Sequence, residues 1–168
     1  MVEILKGILG ANSIQDVYLL GFVDIEDGIA NFSADMRYIY LEVGEHYIEL
    51  ESIHQYSRLS IKVVNSIKYK FEIDEDMIPS KTSISQIVLT DSLSSKNNVK
   101  SLIFYNIDSA SNQIFCDSLQ INLNNGQEIF FDPSFYFGIN IGGSEQKKFW
   151  FENLSNDIKL NETIIEVL

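Results

Sequence analysis

The stretch YIYLEVGEHYIEL, residues 38–50, places Ile39, Leu41 and Val43, then Ile48 and Leu50, at every second position on either side of Gly44-Glu45. A period of two is the mark of a strand with one face buried. A Gly-bearing pair between two such runs is a hairpin signal. The stretch therefore predicts two antiparallel strands, with Ile39, Leu41, Ile48 and Leu50 pointing into a core. The same alternation continues in RLSIKVV (58–64) and IKYKFEI (67–73). It returns in SLIFYNI (101–107), SLQINL (118–123), EIFFD (128–132), FYFGINI (135–141) and KFWFE (148–152), with Asn124-Asn125-Gly126 as a second hairpin signal. Leu59, Ile61, Phe71, Ile121, Leu123, Ile129, Phe131, Ile139, Ile141 and Phe151 join the expected core. Helix is expected to be scarce: a short one in the first sixteen residues, ending near Gly10, and either a helix or a last strand in NDIKLNETIIEVL (156–168).

Composition agrees with this pattern. Eleven Phe and eight Tyr among 168 residues, with only two Pro, favour strands. Hydrophobic content of 45% and charged content of 21% are those of a globular chain rather than a disordered one. The length suits a single domain.

Laid against itself, the chain shows a repeat. Residues 17–44 lie over 99–126, so that Val17 meets Val99, Leu20 meets Leu102, Ile39 meets Ile121 and Gly44 meets Gly126. Further on, Tyr56 meets Tyr136, Ile61 meets Ile141, Phe71 meets Phe151, and YKFE (69–72) lies over FWFE (149–152). The expected fold is mainly β: one domain of two pseudo-repeats, 1–80 and 83–168. Each is a meander, and the two pack as an antiparallel β-sandwich or half-barrel about an approximate two-fold. DEDMIPSKTS (74–83) reads as the junction.

The aromatic stretch GQEIFFDPSFYFGINIGG (126–143) reads as structure. Ile129 and Phe131 take inward strand positions, Asp132-Pro133 a turn, and Gly142-Gly143 a local bend. A phosphate loop would need a helix after the glycines; the pattern there is that of a strand.

No catalytic set is evident. His46 and His54, with Glu49 or Glu51, could be proposed as metal ligands on adjacent strands, but two lone surface histidines are the plainer reading. Cys116, in IFCDS, has no basic neighbour in sequence and reads as a small core residue. A glycosidase would need two carboxylates set around a cleft; the counterparts of Asp24 and Asp27 in the second half are Asn106 and Ser109. The expectation is no enzyme, no cofactor and no metal.

Charge narrows the partners. A formal net charge of −12 repels phosphates, so nucleic acid is not expected. The single cysteine allows no internal disulfide and, with no signal-like start and no long apolar run, points to a cytoplasmic protein without a membrane partner. Two acidic clusters stand out, Asp24, Glu26 and Asp27, then Asp74, Glu75 and Asp76. The outer face differs between halves: Glu49 is replaced by Phe130, and Lys70 by Trp150, while Tyr56 is matched by Tyr136. The aromatic face is expected either to be covered, by a segment such as 158–168, or to bind a partner.

The stretch NGQEIFFDPSFYFGINIGG (125–143) and the following Phe149-Trp150, in a small acidic β-rich chain, resemble the immunity proteins of bacterial contact-dependent inhibition and other polymorphic toxins. The likeness covers mainly 118–152. It implies a protein that binds one toxin domain and blocks its active site or its substrate's approach. Such a toxin is often a nuclease and therefore basic, which suits an acidic inhibitor. Asp24, Glu26, Asp27, Asp74, Glu75, Asp76, Phe130, Tyr136 and Trp150 are the expected contact residues. The competing classes are a structural or oligomeric β-module of a larger assembly and a carbohydrate-binding or carbohydrate-active sandwich.

Overall fold

The stretch 38–50 forms the hairpin that its alternation predicts. In a computed structural model, which describes residues 1–91, 93, 96–155 and 159–167, α1 (Val2–Ala11) leads into β1 (Ile14–Glu26), β2 (Ile29–Val43), β3 (His46–Ile53), β4 (Arg58–Val64) and β5 (Ile78–Ser83). A single turn, α2 (Ser85–Val88), precedes β6 (Val99–Tyr105), β7 (Asp108–Ser109), β8 (Ile114–Cys116), β9 (Ser118–Leu123), β10 (Glu128–Phe135) and β11 (Gly138–Gly142). The chain closes with α3 (Ser144–Asn153) and β12 (Glu162–Glu166). All pairings are antiparallel. They build one sheet in the order β5-β1-β2-β3-β4-β8-β7 and another in the order β11-β10-β9-β6-β12. The fold is mainly β and sandwich-like, with no closed barrel. No helix among the described residues is long and apolar enough to cross a membrane.

The core lies between the sheets. Ile39, Leu41, Ile48, Leu50, Leu59 and Ile61 face Ile121, Leu123, Ile129, Phe131 and Ile139, all buried. Leu5 and Leu9, one helical turn apart on α1, close one end. Gly44 and Gly126 turn their hairpins with φ of 62° and 88°, the left-handed region that glycine enters without steric cost.

Both sheets carry the same core of four strands with a fifth on the first strand's outer edge: β1-β2-β3-β4 with β5, and β6-β9-β10-β11 with β12. They share an irregularity as well. The ladder slips between Ile14 and Asp16 on β1, and between Val99 and Ser101 on β6. Beyond it Val17 stands opposite Leu41, as Leu102 stands opposite Ile121. On this correspondence Val99 matches Ile14, three residues before the Val17 that sequence alignment assigns to it.

Several sequence expectations are overturned. IKYKFEI (67–73) is not a strand but an irregular segment crossing the outer face of the first sheet. KFWFE (148–152) lies in α3, which crosses the outer face of the second sheet. Phe71 and Phe151 accordingly leave the core for clusters on those outer faces, and Ile141 is only partly buried. The junction 74–83 ends in β5, where Pro79 is tolerated because β5 is an edge strand. Asp132-Pro133 is no solvent turn: Asp132 is buried within β10 and accepts hydrogen bonds from Ser134 and from Gln146 Nε2. Pro133 falls where the β10–β11 register breaks. The segment 156–168 yields the strand β12, with 156–158 and 168 outside the described residues.

The hairpin between the first two strands behaves differently in the two sheets. The β1–β2 hairpin slips once more between Leu19 and Leu20 and then runs regularly to its tip at Glu26 and Ile29. Its counterpart turns off after Tyr105, and β7 and β8 join the first sheet beside β4 instead. Polar contacts pin the corner: Arg58 Nε lies 3.2 Å from Asp117 Oδ1, Asn106 Nδ2 donates to Asp117 Oδ2 at 2.6 Å, and Arg58 Nη2 donates to the Asn106 carbonyl at 3.0 Å. Asn106 takes a φ of 52° to make the turn.

Candidate functional site

At one end of the molecule the β1–β2 hairpin projects past the sandwich, and two turns approach it. The β3–β4 turn is built by His54, Gln55 and Tyr56, three successive residues at positive φ (52°, 57° and 64°). Side chains rarely adopt that conformation, and the run swings the chain away from β2. The β10–β11 turn comes across from the other sheet. Gly138, at φ 131°, sits so close to Met36 that an added Cβ would fall 2.3 Å from the Met36 backbone. Only glycine permits this approach.

Between these parts runs an open groove of about 470 Å³. Ala34, Asp35, Met36 and Arg37 of β2 form one side, and Tyr56, Tyr136 and Phe137 another. Phe22, Phe71 and Glu72 complete the lining. The Tyr56 and Tyr136 rings, paired by the sequence repeat, lie 6.2 Å apart. Phe135, Tyr136 and Phe137 are all exposed, Tyr136 by 75%, and their rings pack edgewise or tilted on one another. The one guanidinium, Arg37, is held by Asp35 at 2.6 Å, and that hydrogen bond raises its pKa still further. A smaller hollow, sharing Phe22 and Glu72, leads on to Ile73, Asp74 and Met77.

The sheet gathers the acidic clusters. The β1–β5 ladder ends at Val23 opposite Ile78, so Asp24, Glu26 and Asp27, beyond Val23, and Asp74, Glu75 and Asp76, before Ile78, emerge at the same end. Asp24 is half-buried; the other five are exposed. Carboxylates from 50 residues apart in sequence thus share one end of the sheet, where Asp74 lines the smaller hollow beside the aromatic groove.

Not all expected contact residues belong here. Phe130 and Trp150 are 1% and 3% exposed, packed with Tyr105 between α3, which carries Trp150, and the sheet at ring distances of 5.2–6.0 Å. They stabilise the second sheet and are closed to a partner. The aromatic face is covered mainly by α3, with Leu160 of the expected segment 158–168 also packed against the cluster; β12 lies at the sheet edge, and Ile158 and Leu168 fall outside the described residues. Tyr136 alone of the three aromatic candidates is at the groove. Sequence reasoning missed Phe22, Tyr56, Phe137 and Glu72, although the pairing of Tyr56 with Tyr136 was a signal for two of the turns.

The other candidates resolve as follows. His46 begins β3 and contacts Asn65 at 3.1 Å, whereas His54 follows the end of the same strand. They lie at opposite ends of one strand, not on adjacent strands. Glu49 is buried and engaged: Tyr40 donates to it at 2.5 Å and Lys70 Nζ at 2.5 Å, with Glu51 3.4 Å from the same ammonium. Burial drives the Cys116 thiol pKa upward, so it is an inert core group. Gly142-Gly143 is followed by α3, so the strand that argued against a phosphate loop is absent. Glu145 in the first turn and Asp132 bonded to Gln146 nevertheless set negative charge at that end, which disfavours an anion. Among the described residues no three His, Cys, Asp or Glu side chains gather in a way that could hold a metal ion.

Compared with family models, with curated proteins and with solved structures, the chain matches none.

Proposed function

We propose that this protein is an immunity-type inhibitor that binds a basic protein toxin, for which a nuclease is the best candidate, and denies it its substrate. The observation that carries the reading is the convergence of two acidic clusters, distant in sequence, at one end of the sheet that also bears a groove edged by exposed aromatic turns. Tyr and Phe at a rim of carboxylates suit a cationic surface: the rings supply contact area and cation–π attraction, and the charges speed encounter. The protein acts by occupancy rather than chemistry, and works where its toxin would otherwise act, in the cytoplasm.

The test is co-expression with the product of the adjacent gene. Cells making that product should stop growing, and this protein should restore growth. Association measured with the purified pair should slow as salt rises. Reversing Asp74, Glu75 and Asp76 to Lys should lower the on-rate while leaving the chain folded. An adjacent product that is harmless, or one that this protein neither binds nor neutralises, ends the proposal and favours the structural-module reading.

A further inference from the structure

The groove has one side made of backbone. β3 pairs with β2 only as far as Tyr38 opposite Glu51, because the left-handed run at His54–Tyr56 carries the chain away. From Ile29 to Asp35, short of the slip that leaves 36–38 without a β1 partner, β2 is paired with β1 on one side, and on the other no described strand is hydrogen-bonded to it. That leaves a row of unpaired N–H and C=O groups, the usual template for an added strand.

Proteins blunt such edges, and this one does so elsewhere. β5 carries Pro79 and Lys81, β7 is two residues long, β11 runs directly into α3, and β12 carries Glu162 and Glu166. The stretch Ile29–Ala34 has none of these devices. It contains no charge and no Pro, its register with β1 is regular, and Ile29 and Phe32 are exposed. Continuing it, Ala34–Arg37, which runs into the slip in the ladder, forms the side of the groove facing Tyr56, Tyr136 and Phe137.

We infer that the β2 edge receives an extended basic segment of the partner protein as an added strand, its side chains resting against Tyr56 and Tyr136. The occupant is basic because Asp24, Glu26 and Asp27 stand at the tip of this hairpin, Glu72 lines the groove and Asp74 the hollow beside it, while Arg37 is neutralised by Asp35. A second copy, itself carrying a net charge of −12, is repelled. This inference rests on the reading of the protein as the binder of a basic partner, and adds how the partner is held.

The experiment uses the full chain and a capped peptide of alternating lysine and valine. A matched peptide has alternate backbone amides N-methylated, which removes donors and keeps charge and side chains. The unmethylated peptide should bind at low salt and slow amide hydrogen exchange within Ile29–Asp35. Methylation should weaken binding by roughly tenfold or more, from loss of about two net hydrogen bonds. Equal binding of both peptides, lost in Tyr136→Ala and without protection of β2, overturns strand addition but leaves the basic-partner reading standing. Absence of saturable binding, or protection of Ile29–Asp35 through dimerisation of the protein alone, overturns the inference; growth rescue then decides the proposed function separately.

Discussion

The outer faces of the two sheets both carry aromatic clusters, but the first also closes a lysine over a buried carboxylate. On the first, Tyr40 stands opposite Glu49 in the ladder, and Lys70 from the irregular segment above closes a buried polar group. On the second, Gln120 stands opposite Phe130, and Trp150 from α3 closes an aromatic cluster with Tyr105. The aromatic face draws on transfer of large rings out of water and on their edgewise contacts. The polar face offsets the desolvation of Glu49 with two short hydrogen bonds, and gains orientation more than stability. A buried pair of this kind specifies where the segment 67–71 must lie, which a purely apolar surface would leave looser.

The largest expected effect is on the aromatic face. Trp150→Ala should cost about 3–5 kcal/mol in denaturant unfolding, because a 3% exposed indole leaves a cavity between Tyr105 and Phe130. A loss under about 1 kcal/mol would show that α3 is not what holds this face together.

On the polar face, Lys70→Met should cost about 1–3 kcal/mol by leaving the Glu49 carboxylate with only Tyr40 and, at 3.9 Å, Lys62. The lysine side chain keeps 32% of its surface, so the cost falls short of a fully buried pair. Adding Glu49→Leu to Lys70→Met should recover most of that loss. A double-mutant cycle with no coupling would remove the distinction drawn between the faces.

The faces should also part at high pH. Burial, and then the Glu49 hydrogen bond, push the Tyr40 hydroxyl pKa upward. For Lys70 burial acts downward, but the bond to Glu49 and the nearby Glu51 outweigh it, and its pKa rises. Both groups hold their protons more tightly folded than unfolded. The stability they contribute is full below about pH 10 and is lost as pH climbs past it, by up to about 1.4 kcal/mol per pH unit for each group. Tyr40→Phe should flatten that alkaline slope in pH-dependent unfolding. Tyr105 is also raised by burial, so the slope should diminish rather than vanish.

The smallest effect is expected at the groove. Tyr136→Ala should change stability by about 0.5 kcal/mol or less, since the ring is 75% exposed. The same substitution should raise the partner's off-rate, which separates a binding residue from a packing one.

The legibility of the chain follows from the range of each interaction. Alternation at 38–50, 58–64, 118–123 and 128–132 specified strands and their inward residues, because a strand's buried face is written in its own period. The same reasoning failed at 67–73 and 148–152, where Phe71 and Phe151 lie over a sheet rather than within one. Their apolar pattern records burial and does not say which layer provides it. The two acidic clusters were visible at once, but not as neighbours, since only the β1–β5 ladder brings them together. Phe130 and Trp150 read as surface anchors because nothing local announces that 144–153 is a helix whose Trp150 side packs down on Phe130.

The sequence by itself determined a mainly β chain, its hairpin turns, most of its core and its acidic character, since these depend on period, glycine conformation and summed charge. Tertiary structure alone decided that the β1–β2 hairpin projects while its counterpart folds onto β4, and that Tyr56 meets Tyr136. It also decided that the Ile29–Ala34 edge stays bare. Those outcomes depend on contacts between residues far apart in the chain, such as Arg58 with Asp117 and Gly138 against Met36. No local pattern encodes such a pair, because each partner is satisfied only once both sheets are in place.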